Sequence, residues 1–232
     1  MSLPPNVRSA HGPTKGSRTP SEVASHMVFQ AESWDCERTQ MFNVLKEFGE
    51  RHPTLAVASP RELVFSCFNR ALPTPVGGKA GWAAKLQTSL GERVRLIISK
   101  PDGSARWSTV AGAISDEDCS FPIIGVSPDY WSEVSNSQQD LGGPEHDIVV
   151  LAADKSNALV FDCYLNRIWA SGRSRLPSPK TVDPTYAVVS LSMTKLVSLW
   201  ERTNPPRFYC YVRRTRVRKP SLSEFGRYPR YR

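Results

Sequence analysis

Residues 146–162 read His-Asp-Ile-Val-Val-Leu-Ala-Ala-Asp-Lys-Ser-Asn-Ala-Leu-Val-Phe-Asp. Ile148 to Ala152 is an apolar run rich in β-branched side chains, and Ala158 to Leu165 is a second. Between them Ala153-Asp154-Lys155-Ser156-Asn157 carries turn chemistry. Two apolar runs joined by so short a polar stretch predict an antiparallel hairpin. His146 stands at its mouth, and Asp162 lies on the returning strand. Register decides whether they meet. A turn centred on Asp154 sets them opposite one another. A turn centred between Lys155 and Ser156 offsets them by three residues unless a bulge intervenes.

Upstream of the hairpin, Met41, Phe42, Val44, Leu45 and Phe48 follow helical spacing. They predict a helix entered through Asp35 as N-cap, with Glu37 in its first turn, and ended by Gly49 and Pro53. A second helical stretch is expected from Pro60 to about Ala71, and Pro73 to Gly81 reads as a loop. Val94 to Ser99 reads as a strand, turned by Pro101-Asp102-Gly103 so that Arg106 to Val110 pairs back on it. Residues 115–145 are polar and read as a surface excursion around Ile123 to Val126. Downstream come a strand from Tyr186 to Leu191, a short helix from Thr194 to Trp200 and a last strand near Phe208 to Val212. A helix followed by antiparallel strands indicates an α+β fold. The organisation expected is a flexible arm over 1–25, one domain over 26–206 and a basic tail over 207–232.

Composition narrows the classes. With 40% hydrophobic residues in 232, the chain has the material for a packed core. No run of 18 apolar residues is present, so no membrane span is expected. The N-terminal stretch lacks the apolar core of a secretion signal, which makes a cytoplasmic or nuclear location the expectation. Arg8, Lys15 and Arg18 among serines make an organellar one second. Five cysteines, an odd number with no Cys-x-x-Cys pair, argue against a disulfide framework or a zinc ribbon. His11, His26 and His52 lack partners at ligand spacing, so no metal or other cofactor is expected, and Gly77-Gly78-Lys79 reads as a turn. The net charge of +8 is concentrated in 207–232, where nine Lys or Arg face the single acid Glu224. That tail would suit nucleic acid or another acidic partner, with Tyr209, Tyr211, Tyr228 and Tyr231 for stacking. A non-catalytic RNA-associated protein, ribosomal or viral, is therefore one reading.

Cysteine chemistry supplies the other. Cys36 follows Asp35 at the predicted helix start, where unpaired backbone N–H groups and the helix dipole favour a thiolate. A nucleophilic thiol needs a base, and the base needs an orienting partner; His146 and Asp162 are the pair the hairpin offers. Among the other cysteines, Cys67 falls in a helix, Cys163 points away from Asp162 if its strand continues, and Cys210 adjoins the basic tail. Cys119, in a loop, is the strongest competitor.

A helix-borne Cys followed by a His and its partner on adjacent strands is similar in order to papain-like and transglutaminase-like thiol hydrolases. Within that group the chain resembles the protein N-terminal glutamine amidohydrolases. Cys36-Glu37 before Phe42 and Leu45, Ile98-Ser99 before Trp107, His146 before an apolar strand, and Phe161-Asp162 after the turn carry the resemblance. Val188-Val189 through Leu196 continue it. It covers 31–50, 94–107, 144–165 and 186–203, leaving 53–92 and 108–143 as insertions. Glu145 stands where the family has an aromatic residue. The resemblance implies deamidation of N-terminal glutamine in a protein or peptide, catalysed by Cys36, His146 and Asp162. An acid is then needed near the substrate's α-ammonium; Asp35, Glu37 and Asp147 are the candidates. A monomer is expected. A thiol peptidase or protein deamidase of the same fold class is the further alternative.

Overall fold

The structure, a computed structural model, describes residues 18–31, 36–67, 78–100, 102–136, 145–180, 183–204 and 206–215. Among these, eight α-helices occur in chain order: α1 (Pro20–Ser25), α2 (Cys36–Arg51), α3 (Pro60–Cys67), α4 (Gly78–Leu90), α5 (Trp107–Ser115), α6 (Trp131–Val134), α7 (Leu165–Ala170) and α8 (Met193–Glu201). The strands are β1 (Val94–Ile98), β2 (Ile123–Val126), β3 (His146–Ala153), β4 (Asn157–Phe161), β5 (Val188–Ser192) and β6 (Tyr209–Arg214). They form one sheet in the order β1-β6-β2-β3-β4-β5, and every pairing is antiparallel. The fold is α+β, as the sequence indicates. No helix among the described residues is long and apolar enough to cross a membrane.

The sheet is covered because its central strands are apolar on both sides. Every residue of β2, and of β3 from His146 to Ala152, is buried. Helix α2 packs on β3, β2 and β6, while α8 packs on β2, β4 and β5. Helix α5 joins α8 through Trp107, edge-on to Trp200 at 5.6 Å. In α2, Met41, Val44, Leu45 and Phe48 are buried at spacings of one helical face, each contributing about 1.5–3 kcal/mol of apolar burial. The helix runs through Gly49 to Arg51 before Pro53 opens a 3-10 turn.

The β3–β4 hairpin has the later of the two turns. Asp154 N–H bonds to the Asn157 carbonyl, and Asp154 Oδ1 accepts the N–H groups of Ser156 (2.6 Å) and Asn157 (2.7 Å). These bonds hold the Asp154 carboxyl below its ordinary pKa. Ala153 therefore pairs with Ala158 and Ala152 with Leu159, but beyond a bulge between Val150 and Ala152 the pairs are Val150–Val160 and Val149–Phe161. Without the bulge, His146 and Asp162 would be offset by three positions, an odd number, and would point to opposite faces. The extra residue makes the offset two. The pair then becomes a diagonal neighbour on one face of the sheet.

Several sequence expectations give way. Arg106 to Val110 does not pair with β1; Trp107, Val110 and Ile114 lie at helical spacing in α5, and β1 takes β6 as its partner. The described part of 115–145, residues 115–136 and Glu145, is not a surface excursion. It supplies β2, held between β6 and β3, and the buried Tyr130 and Trp131. The segments 53–92 and 108–143 are thus integral where described, with α4 packed on β1. Gly78 to Gly81 belongs to α4 instead of a loop, and 68–77 lie outside the described residues. The arm expected over 1–25 is helical from Pro20. Thr19 and Glu22 form a reciprocal capping box, and Val23 and Ala24 are buried in a helix packed on β3 and β5. At the other end, Tyr209 to Arg214 is a strand inside the sheet, not tail; residues 216–232 lie outside the described ones.

Candidate active site

Cys36 is the first residue of a 16-residue helix and the one cysteine of the five that is partly exposed. Its N-cap candidate, Asp35, lies outside the described residues. His146 opens β3 and is 3% exposed; Asp162, one residue past β4, is fully buried. His146 Nε2 donates to Asp162 Oδ1 at 2.7 Å. The remaining ring nitrogen, Nδ1, is free of Asp162, and Cys36 lies close enough to the imidazole to act on it electrostatically. The structure therefore brings Cys36, His146 and Asp162 together.

The electrostatics follow from this packing. Burial works against a proton on His146, but the Asp162 charge first, then the neighbouring Cys36 and the hydrogen bond to Asp162, outweigh it. They hold the imidazole well above its ordinary pKa. Cys163 is affected in the opposite sense. Burial first, then the nearby charges of Asp162, Cys36 and Asp147, push its thiol well up, so it stays protonated beside Cys36. Its position corrects the sequence reading. The chain turns after Phe161 and does not continue as a strand, which brings Cys163 Sγ to 3.9 Å from the Cys36 carbonyl. Cys67, Cys119 and Cys210 are buried elsewhere in the core. The loop cysteine, Cys119, is buried where its backbone pairs with Arg213 of β6, and its thiol donates to Asp116 Oδ2 at 3.5 Å, away from His146.

Three features had no clear signal in the sequence. Gln40, one helical turn after Cys36, donates its amide to the carbonyls of Asp147 (3.3 Å) and Phe161 (3.2 Å). It clips α2 to the β3–β4 seam beside His146 and Asp162, and so sets the height of the helix start, with Cys36, against His146. Asp162 has further partners: Oδ1 accepts the Tyr164 backbone N–H at 2.8 Å and Oδ2 the Tyr130 hydroxyl at 2.9 Å. Finally, Trp131 (4.6 Å between ring centroids), Tyr130 (5.7 Å) and Tyr164 (6.1 Å) wall the imidazole. Pro128-Asp129-Tyr130-Trp131, a helix start with two large aromatics inside a polar stretch, was the available hint.

Of the acids proposed for an α-ammonium, Glu37 is half-buried in the first turn of α2. Asp147 is buried, and strand alternation turns it to the face opposite His146. The described part of the basic C-terminus does not offer a stacking surface. Tyr209 and Tyr211 stack on each other at 6.0 Å within the sheet, and burial lifts the Tyr211 phenol to about 12. Arg213 and Arg214 pair with Asp116 (3.3 Å) and Asp118 (3.9 Å). Comparison with protein-family models, curated proteins and solved structures finds no match to this chain.

Proposed function

We propose that this chain is a cysteine-dependent amidohydrolase with a transglutaminase- or papain-like disposition of helix and sheet. In this reading it acts as a cytoplasmic or nuclear monomer that converts the N-terminal glutamine of a protein or peptide to glutamate. One observation carries the chemistry: the partly exposed Cys36 meets His146, whose far nitrogen is held by buried Asp162 at 2.7 Å. The substrate comes from the resemblance in residues, not from the geometry.

The thiolate of Cys36 attacks the side-chain carboxamide carbon, and the carbonyl electrons move to oxygen. The backbone N–H of Cys36, at a helix start and so without an intrahelical acceptor, can stabilise that oxyanion. His146 gives its Nδ1 proton to the departing nitrogen, which leaves as ammonia, and a thioester remains. The same imidazole then takes a proton from water, whose oxygen attacks the thioester carbon. The carboxylic acid and the thiolate are released, His146 keeps the proton taken from water, and the new carboxyl group gives its own proton to the ammonia formed earlier, leaving glutamate and ammonium. Asp162 fixes the tautomer and supports the imidazolium throughout. The acid that meets the α-ammonium is drawn from Asp35 and Glu37 at the helix start, since Asp147 is buried and faces away from His146.

The test is ammonia release from a peptide beginning with Gln, set beside one carrying Gln internally. Release from the first alone supports the proposal, and the Cys36→Ala variant should abolish it. Release from the internal Gln as well would move the assignment to a protein deamidase. Cleavage of the peptide chain would make it a peptidase. No reaction with either peptide, and a Cys36 no more reactive to iodoacetamide than the buried cysteines, would overturn the hydrolase reading.

A further inference from the structure

We infer that Tyr130 is a positioning residue of this site: its hydroxyl holds Oδ2 of Asp162, so that Oδ1 stays on His146 Nε2 and Nδ1 stays turned to Cys36. The inference rests on the thiol-hydrolase reading above. Tyr130 touches both members of the pair. Its hydroxyl donates to Asp162 at 2.9 Å, and its ring lies over the imidazole at 5.7 Å with an interplanar angle of 24°. The fold supplies it from a third element. Val126, the last residue of β2, pairs with His146, and the 3-10 turn Pro128–Tyr130 follows at once. The residue that orients the carboxylate is therefore tied by backbone pairing to the strand that carries the base.

A carboxylate with no exposed surface needs donors on both oxygens to keep its charge and its rotation. Oδ1 has two, from His146 and the Tyr164 backbone, whereas Oδ2 receives the Tyr130 hydroxyl. With that donor removed, rotation about the Asp162 side chain exchanges the two oxygens and loosens the imidazole in its plane. Burial and the Asp162 charge hold the phenol well above its ordinary pKa, so it remains a neutral donor through the working range of pH.

The experiment is Tyr130→Phe, which deletes one oxygen and keeps the stacked ring. Two quantities are read on the full chain: the pH dependence of Cys36 alkylation by iodoacetamide, and steady-state ammonia release from the Gln peptide. The expected results are alkylation about three- to tenfold slower near pH 6.5 and kcat lower by about tenfold, with KM within about twofold. In an Asp162→Asn background Tyr130→Phe should add nothing further, because it acts through Asp162. An alkylation profile unchanged by Tyr130→Phe, losses that add independently of Asp162→Asn, or a variant that fails to fold would each overturn the positioning role and leave Tyr130 as packing. A wild-type Cys36 without selective reactivity would instead overturn the hydrolase reading, and the positioning role with it.

Discussion

At the β3–β4 seam, charge is scarce and buried; at the β1–β6 edge, it is abundant and wet. At the seam the Asp162 carboxylate and the His146 imidazole are buried and tied to named partners, with Cys36 beside them. The edge carries Arg95, Arg213 and Arg214 on exposed positions, two of them paired with half-buried acids across 3.3 and 3.9 Å. Counting charges along the sequence draws attention to the edge. Burial draws it to the seam, because an ionised group out of water interacts strongly with whatever it touches, while an exposed pair is screened. The difference teaches that net charge locates solvent contact, and desolvated charge locates chemistry.

Cys36→Ala should break the seam's function most completely. Ammonia release should fall by about 10⁴-fold or more, while the melting temperature moves little, since Cys36 is small and partly exposed. Activity remaining within tenfold of wild type would remove the nucleophile assignment. Asp162→Ala should cost both activity and about 3–5 kcal/mol in denaturant unfolding, because it strands the buried His146 and Tyr130 without their acceptor. A loss below 1 kcal/mol would mean that the seam is wetter than its burial implies. Gln40→Ala leaves two seam carbonyls without their amide donor and should destabilise by about 1–3 kcal/mol, with kcat falling as the helix start drifts from His146. Stability loss with unchanged kcat would limit Gln40 to a structural clip.

A pH series sharpens the same contrast. The folded pKa of His146 lies above its unfolded value, so its protonation stabilises the fold fully below the unfolded value near 6.5 and loses that effect as pH rises through the elevated folded value. The stability gap between wild type and His146→Gln should therefore be larger at pH 6 than in alkaline solution. A gap that is flat or grows with pH contradicts the ion pair with Asp162. The smallest effect belongs to the edge. Arg213→Ala and Arg214→Ala should each change stability by less than about 1 kcal/mol and leave ammonia release untouched. A large loss at either would erase the distinction between the two regions.

Local pattern carried a good part of this. Helix α2 was legible because Met41, Val44, Leu45 and Phe48 repeat at 3.6, and the β3–β4 hairpin because two apolar runs flank Asp154 to Asn157. Helices α1 and α5 were misread for reasons that are also local. The Thr19–Glu22 capping box stands among prolines that suggest an arm, and Pro101-Asp102-Gly103 before Arg106 to Val110 suggests a hairpin where α5 forms. No local pattern could place β2, since four residues acquire their meaning only between β6 and β3.

The same division runs through the site. By itself the sequence determined which residue types were at hand: a cysteine where a helix begins, and a histidine and an aspartate on the two arms of one hairpin. Their meeting was decided by tertiary structure. A single bulged residue turns an odd offset into an even one and sets His146 and Asp162 on one face, and side chains distant in sequence close around them. Strand pairing has a period of two, so one residue inverts every side chain beyond it. A buried carboxylate takes its orientation from whatever donors the fold brings within about 3 Å, and those donors come from other strands and turns.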